Sequence, residues 1–190
     1  TVLVLEAGGP DSNKNIHIPG AYTKVHKSEV DWGFWTEEQT NVLQRRIYLR
    51  RGKTLGGSSS TNAMAYVRGN AADYDGWEAL GNPGWGYKDV LPYFKRAENN
   101  AQIEQMDEGY HGSSGELGVS LPTSFKTPFV EGFMDACAAV GIPKNSDYNG
   151  AKQQGVGIVQ STIKNGKRDS AAAAFLKPVL GRSNLTTITH

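Results

Sequence analysis

The sequence predicts an α/β fold built in two parts. An apolar, β-branched run at residues 2–6 ends in a carboxylate, and a Gly-Gly pair followed by three serines occupies residues 56–60. A polar stretch at residues 99–115 then separates the first part of the chain from the rest. The 190 residues are enough for a buried core, and their composition is that of an ordinary globular protein.

The run from Val2 to Glu6 predicts a buried parallel strand, since such strands are continuous apolar segments. In Rossmann-like nucleotide-binding folds, the second strand ends in an acidic residue that binds a ribose, about 20 positions after a Gly-x-Gly-x-x-Gly turn. No residues are available for that turn before Thr1. We therefore expect the chain to begin inside a Rossmann-like unit, without its first strand and glycine turn. The alternative is that Glu6 is an exposed carboxylate at a strand end.

The pair Gly56-Gly57, with serines at 58–60 ahead of a helix-forming run, predicts a phosphate-binding loop. Adjacent glycines let the main chain approach a ligand closely, and free N–H groups at a helix start attract an anion. The hydroxyls can cap that helix or donate to phosphate oxygens.

Two other interpretations of this segment are a flexible linker and a nucleotide-triphosphate P-loop. Gly52-Lys53-Thr54 resembles the end of the P-loop motif, but the motif requires a glycine five positions before Gly52, where Ile47 stands. The P-loop is excluded on this ground.

The remaining elements follow from local patterns. Residues 10–45 form an irregular, aromatic-rich excursion, and residues 72–80 and 88–99 are predicted helices separated by a turn at 81–84. Beyond the polar stretch we predict a strand at 118–120, an amphipathic helix from Thr127-Pro128 to Gly141, a strand at 156–163, a helix capped by Asp169-Ser170 and a strand at 185–189. The polar stretch at 99–115 is predicted to be a solvated surface loop, which places the domain boundary after residue 114.

Several segments together resemble the glucose–methanol–choline (GMC) family of oxidoreductases. They are residues 4–9, residues 51–59, Asn62, Met64, Tyr66, Arg68-Gly69, and the stretches 73–77, 84–87, 90–94, 111–112, 147–150, 155–156 and 166–171. The segment 51–69 is the most specific of these, and the likeness extends over the whole chain as the N-terminal portion of such a protein.

The resemblance implies a flavoprotein that oxidises an alcohol by hydride transfer from the carbinol carbon to FAD. It implies that residues 1–114 are an incomplete Rossmann-like FAD-binding portion. Residues 115–190 would begin a mixed-sheet α+β substrate-binding domain and return toward the FAD-binding portion. Carried over by position, the FAD-binding residues are Glu6 at the ribose, Arg51, Gly52, Gly56, Gly57 and Ser58 near the pyrophosphate, and Asn62, Ala63, Met64 and Ala65 against the isoalloxazine ring.

Two departures from the family pattern limit this assignment. The family's catalytic base is a histidine near the C-terminal end of the full protein, and no residue here matches it. We interpret the four histidines as loop or surface residues: His17, His26, His111 and His190. Members that attach FAD covalently through this segment carry a histidine where Thr61 stands, so we expect non-covalent FAD. Since neither the glycine turn nor the base is present, we expect the isolated chain to be inactive.

The composition limits the kinds of binding partner that can be expected. A formal net charge of +1 gives no reason to expect nucleic acid, and no apolar run of about 18 residues predicts a membrane span. The single cysteine, Cys137, excludes an internal disulfide and is predicted to be a small buried apolar residue; no metal site is predicted. Since Thr1 is not an initiator Met, no targeting signal can be read, and the cytoplasm is our default expectation. The sequence gives no prediction of oligomeric state.

Two alternative functions remain open from the residues. A nicotinamide-dependent dehydrogenase would use Glu6 in the same way, although the segment 51–69 speaks against it. A non-catalytic flavin-binding module is compatible with the lack of a base in this chain. The expected partner of the enzyme is a small-molecule alcohol, either choline-like, simple aliphatic or sugar.

Overall fold

The structure is a computed structural model that describes residues 1–122 and 127–190. Within these residues the strands, in chain order, are β1 (Val2–Glu6), β2 (Phe34–Trp35), β3 (Tyr48–Leu49), β4 (Glu98–Asn100), β5 (Leu117–Val119), β6 (Ile163–Lys164), β7 (Lys167–Arg168) and β8 (Leu185–Thr189). The α-helices are α1 (Lys14–His17), α2 (Ala71–Ala79), α3 (Tyr87–Ala97) and α4 (Pro128–Ala139). Short 3₁₀ turns occupy Pro19–Val25, Thr40–Val42, Gly57–Ser60, Ile103–Gln105 and Lys177–Val179, and a π-helical turn occupies Ala172–Leu176.

The chain divides into two compact units. The first combines Thr1–Met64 with Ile163–His190, and the second is Ala65–Thr162. The predicted boundary after residue 114 does not coincide with this division. Strand β4 lies before the predicted boundary and β5 lies after it, yet the two strands pair in parallel, with Glu98 opposite Leu117. Both strands therefore belong to the second unit. Which unit binds which ligand stays a prediction.

The first unit contains the predicted strand β1, which pairs in parallel with β8 from Val2 opposite Leu185 to Glu6 opposite Thr189. Both predicted strands are confirmed. The expected burial of β1 is wrong, because Leu3 and Leu5 are 55% and 70% exposed. Among the described residues β1 pairs only with β8, and the described structure leaves the side chains of Leu3 and Leu5 largely uncovered.

The buried cluster of the first unit lies in the excursion that follows β1. Its members are Ile16, Val25 and Val30, each at most 5% exposed. The excursion is otherwise irregular, as predicted, with α1 only four residues long. It reaches the glycine-containing segment through the pairing of Asp31 with Gly52.

The hairpin β6–β7 was not predicted. Its turn is Asn165-Gly166, where both residues have positive φ angles of 52° and 73°. The predicted strand at 156–163 is wrong except for its last residue, since Val156 and Ser161 make only isolated bridges. The predicted helix after Asp169-Ser170 is a π-helical turn, and the Ser170 hydroxyl accepts from the Ala173 N–H at 3.2 Å.

In the second unit, both predicted helices after residue 70 are confirmed within two residues of their expected ends. Helix α2 begins with a capping box, in which the Asn70 side chain accepts from the Ala72 N–H and the Asp73 carboxylate accepts from the Asn70 N–H. Helix α3 contains Pro92 as its sixth residue, inside the helix, where proline removes one main-chain hydrogen bond; the expected position near the helix start, where proline costs least, is therefore wrong.

Helix α4 is confirmed as a helix, but its role as core is wrong. Phe129 and Phe133 are 89% and 65% exposed, and the half-exposed Cys137 is not the buried residue that was expected. Its apolar side borders an open groove of about 380 Å³ shared with Val156 and Ile158. Within residues 1–122 and 127–190, no helix combines the length and apolar character needed to cross a membrane.

The stretch at 99–115 is not a solvated loop. It contains most of β4, and Asn100, Met106 and His111 are 4%, 9% and 2% exposed. Polar side chains are buried here because they bond to one another rather than to water.

Candidate functional site

The loop after β1 packs directly on the segment that leads to the glycine pair. The Leu55 N–H and the Thr54 hydroxyl both donate to the Gly9 carbonyl at 3.0 Å. A Cβ atom on Gly8 would overlap the Lys53 carbonyl oxygen, so this approach requires glycine. The structure therefore brings the turn after β1 against residues 53–55, which come directly before the glycine pair.

Glu6 lies half-buried at the end of β1. One of its carboxylate oxygens, Oε1, accepts from the Gly8 N–H at 2.7 Å. This bond fixes the carboxylate at the turn and is the kind of contact that a purely structural strand-end residue would also make. A carboxylate can accept several hydrogen bonds, so the Gly8 contact leaves capacity for a ribose hydroxyl.

The two adjacent glycines differ in what surrounds them. Both have positive φ, 88° at Gly56 and 54° at Gly57. A Cβ on Gly56 would overlap the Ser60 hydroxyl and lie 3.1 Å from the Ala172 Cβ, whereas a Cβ on Gly57 would meet no atom within 4 Å. Gly56 is thus required by packing inside the protein, and Gly57 borders open space beside the main chain.

The helix expected after the serines is absent from this segment. Gly57–Ser60 is a single 3₁₀ turn, and the chain then turns at Met64, whose φ is 63°. The Asn62 Oδ1 accepts from the Met64 N–H at 2.9 Å, which is the Asx turn that competes with helix formation. The anion-binding helix start is therefore a wrong prediction.

The serine hydroxyls mainly bond within the loop itself. The Ser58 hydroxyl accepts from the Gly52 N–H at 3.1 Å, while those of Ser59 and Ser60 donate to main-chain carbonyls at 2.6 and 2.8 Å. Ser59 and Ser60 have thus already used their only donor hydrogens. Ser58 keeps its hydrogen and is exposed, so it is the serine able to donate to a ligand.

The other predicted site residues differ in their burial and in the unit to which they belong. Gly52 is buried, and a Cβ there would overlap the Gly57 carbonyl oxygen. Arg51 and Ala63 are exposed, and the Arg51 guanidinium donates to a neighbouring carbonyl at 2.6 Å. Ala65 belongs to the second unit, where it pairs with Ser161.

Arg168 is a site residue that the sequence argument missed. It is 3% exposed, and its Nε donates to the Ile16 carbonyl at 2.7 Å. Its two terminal nitrogens donate to the Ser59 carbonyl at 3.1 Å and to the Asn62 Oδ1 and main-chain oxygen at 2.8 Å each. Burial lowers the pKa of the guanidinium to about 10. No local pattern signals this role, since Arg168 lies more than 100 residues from the loop it holds.

The second unit contains a separate cluster of buried charges. Arg68 pairs with Glu98 at 2.7 Å, and the His111 ring contacts Glu98 through Nδ1 at 2.8 Å and Asp147 through Nε2 at 3.0 Å. The interpretation of His111 as a surface residue is wrong, because its side chain is fully buried. Burial opposes its protonation, but hydrogen bonds to Asp147 and Glu98 outweigh that effect and raise the His111 pKa to about 9.

This cluster uses both ring nitrogens of His111 in contacts with carboxylates, which leaves neither free to take a proton from a substrate. Among the described residues, no group of three or more His, Cys, Asp or Glu side chains is arranged to hold a metal ion.

Comparison with known proteins identifies relatives along the whole chain. Residues 20–190 match the family model described as GMC oxidoreductase. An oxygen-dependent choline dehydrogenase from Rhizobium johnstonii is 44% identical over 189 residues, which make up 99% of this chain and 34% of that protein. One from Rhizobium etli is 45% identical over 186 residues, or 97% of this chain and 33% of that protein. The chain spans about a third of the length of the curated relatives it matches.

Solved structures that are similar to this chain in fold are also oxidoreductases by name. Pyridoxine 4-oxidase from Mesorbium loti has a TM-score of 0.92 and 34% identity, covering 99% of this chain and 37% of that one. An FAD-dependent oxidoreductase from Chaetomium thermophilum has a TM-score of 0.89 and 32% identity, covering 99% of this chain and 34% of that one. These likenesses confirm the predicted α/β fold in outline.

Proposed function

Because the chain belongs to the GMC oxidoreductase family, we propose that the whole protein containing it is an FAD-dependent oxidoreductase of alcohols. FAD, when bound, supplies the hydride acceptor for oxidation of the carbinol carbon. The chain's own residues would bind and orient that cofactor. The observation that carries the proposal is a packing contact near the glycine pair. The turn that follows Glu6 packs against residues 53–55, and Gly57, two residues further on, borders open space.

The residues present fit such a ligand. Glu6 would accept from the adenosine ribose with the carboxylate capacity that Gly8 leaves free. The open space beside Gly57 would admit a phosphate, with Ser58 as a donor at its edge. Asn62, Ala63, Met64 and Ala65 would lie against the isoalloxazine ring. Since the N–H groups of Asn62 and Met64 donate within the protein, the Ala63 N–H would help to stabilise the negative charge that grows on the ring as hydride arrives.

We propose further that FAD is held without a covalent bond. Thr61 stands where covalent members of the family carry a histidine, and it is 5% exposed. A threonine hydroxyl has no basic nitrogen through which to attach the flavin ring. Acid precipitation of the protein should therefore leave all the flavin in the supernatant.

The substrate we propose is a small alcohol, with choline as the first to test. The relatives with the highest identities above are named choline dehydrogenases, and the nearest structure described above is a pyridoxine oxidase. The base that removes the hydroxyl proton would come from sequence outside this chain, because neither the family motif nor the geometry of His111 supplies one here.

The experiment that tests the proposal uses purified full-length protein. Its visible spectrum should contain the flavin bands, and anaerobic addition of choline or another small alcohol should bleach them. A protein without flavin contradicts the FAD proposal. A protein whose flavin is bleached by no alcohol in a panel of quaternary-ammonium, aliphatic, aryl and sugar alcohols contradicts the catalytic proposal and indicates a flavin-binding module instead.

A further inference from the structure

Arg168 is a buried cation whose hydrogen bonds, within the described residues, all go to uncharged oxygens. Its five N–H groups form one rigid fork, and four of them are used by three carbonyls and one side-chain amide. None of the ion pairs found in residues 1–122 and 127–190 includes Arg168. Burial removes the hydration of a guanidinium, and this loss costs free energy. Since none of these ion pairs compensates for the cost at Arg168, its hydrogen bonds must do so.

The oxygens that Arg168 holds belong to the turn that leaves the 3₁₀ segment. The guanidinium contacts both the main-chain oxygen and the Oδ1 of Asn62 at 2.8 Å. The same Oδ1 accepts from the Met64 N–H, so a single amide oxygen joins Arg168 to the residue with φ of 63°. A left-handed conformation is unfavourable for a non-glycine residue, and this pair of bonds stabilises it.

A second contact holds the other side of the same turn. The Ala171 N–H, three residues after Arg168, donates to the Ser59 hydroxyl at 2.9 Å. Arg168 at the end of β7 and Ala171 after it therefore hold the loop at Ser59 and at Asn62. Neither contact leaves the first unit.

We propose that Arg168 is a positioning residue of the flavin site, which orients the Asn62 amide and thereby fixes the direction of the main chain from Asn62 to Met64. This inference rests on the proposed function, because that stretch is the part expected to lie against the flavin ring. Arg168 acts through Asn62 and does not itself need to contact the cofactor. Its positive charge next to the turn also favours the electron-rich, reduced form of a flavin bound there.

The test compares three variants of the full-length protein: Arg168→Lys, Asn62→Ala and the double variant. Lysine keeps the charge but has one nitrogen, which cannot span the Ile16, Ser59 and Asn62 oxygens. We expect Arg168→Lys to weaken FAD binding about tenfold or more and to change the visible circular dichroism of the remaining bound flavin. Because both single changes break the same link, the double variant should lose clearly less affinity than the product of the two single losses.

Arg68→Lys is the matched control. Arg68 is also buried, at 6% exposure, and bonds to a carbonyl and to Glu98 in the second unit. It should lower the melting temperature without changing the spectrum of bound flavin. A wild-type protein that binds no flavin contradicts the proposed function before any variant is measured.

The inference about Arg168 is overturned if wild-type protein binds FAD while Arg168→Lys retains the same affinity and the same flavin circular dichroism. It is overturned equally if the losses in the two single variants simply multiply. If Arg168→Lys does not fold, Asn62→Ala decides alone, since it removes the amide link and leaves the three Arg168 bonds to main-chain oxygens in place. Unchanged flavin affinity and spectrum in Asn62→Ala then reject the role.

Discussion

Gly57→Val separates a ligand-binding loop from a linker. The structure contains no atom within 4 Å of a Cβ at this position, so the protein itself leaves room for the first carbon of a side chain. The φ of 54° is unfavourable for a β-branched residue and should lower the free energy of unfolding by about 1–3 kcal/mol. If FAD binding weakens by more than this loss of stability explains, the extra loss of affinity must come from a clash with the cofactor.

The matched control for backbone strain is Gly166→Val. Gly166 has φ of 73° and also has no atom within 4 Å of its Cβ, but it lies exposed in the β6–β7 turn. Both variants should therefore show similar losses of stability in the apoprotein. They should differ in flavin binding, which we expect to fall at least ~100-fold, or about 2.7 kcal/mol, in Gly57→Val alone.

The measurements are the melting temperature of apoprotein and the dissociation constant of FAD, determined by titration of soluble full-length variants. Equal flavin affinity in the two variants would show that Gly57 does not approach the cofactor, and the loop would then be structural. A loss of flavin in both variants would trace the effect to instability and would also reject the close approach.

Three further predictions concern single groups. Glu6→Gln keeps an oxygen for the turn but removes the charge, and FAD binding should weaken by about 1.5–3 kcal/mol, whereas unchanged affinity would make Glu6 a structural residue. Gly52→Ala should destabilise the apoprotein by about 1–3 kcal/mol, measured by urea unfolding, because its Cβ overlaps a backbone carbonyl oxygen that cannot move independently. His111 has a pKa raised from 6.5 to about 9, so its stabilisation by Glu98 and Asp147 is complete below pH 6.5 and is lost as the pH rises to 9. The loss should approach about 3 kcal/mol and should be absent in His111→Gln, and a wild-type unfolding free energy constant across this range would contradict the buried ion pairs.

Local signals predicted several of the regular elements, including the helices α2, α3 and α4 and the strands β1 and β8. The Thr127-Pro128 start identified α4, and the apolar run identified β1 before any partner strand was known. The Asn165-Gly166 dipeptide is the standard type I′ hairpin signal and was overlooked, although it could have predicted β6–β7 from the sequence.

Burial was predicted poorly because it depends on partners distant in sequence. The charged Glu98 and the polar His111 are buried through contacts with Arg68 and Asp147, which are 30 and 36 residues away respectively. Conversely, the apolar face of α4 is exposed, since periodicity indicates which face is apolar but not what covers it.

In the candidate site, too, the sequence does not show which atoms surround each residue. Gly56 and Gly57 are equivalent in sequence and both have positive φ, yet one is confined by Ser60 and Ala172 and the other borders open space. A side chain at Gly56 should therefore destabilise the protein whether or not FAD is present. A side chain at Gly57 should weaken FAD binding beyond the cost of its backbone strain. The sequence predicted a loop that needs glycine; only the contacts of each Cβ distinguish the glycine that the fold requires from the one that a ligand would require.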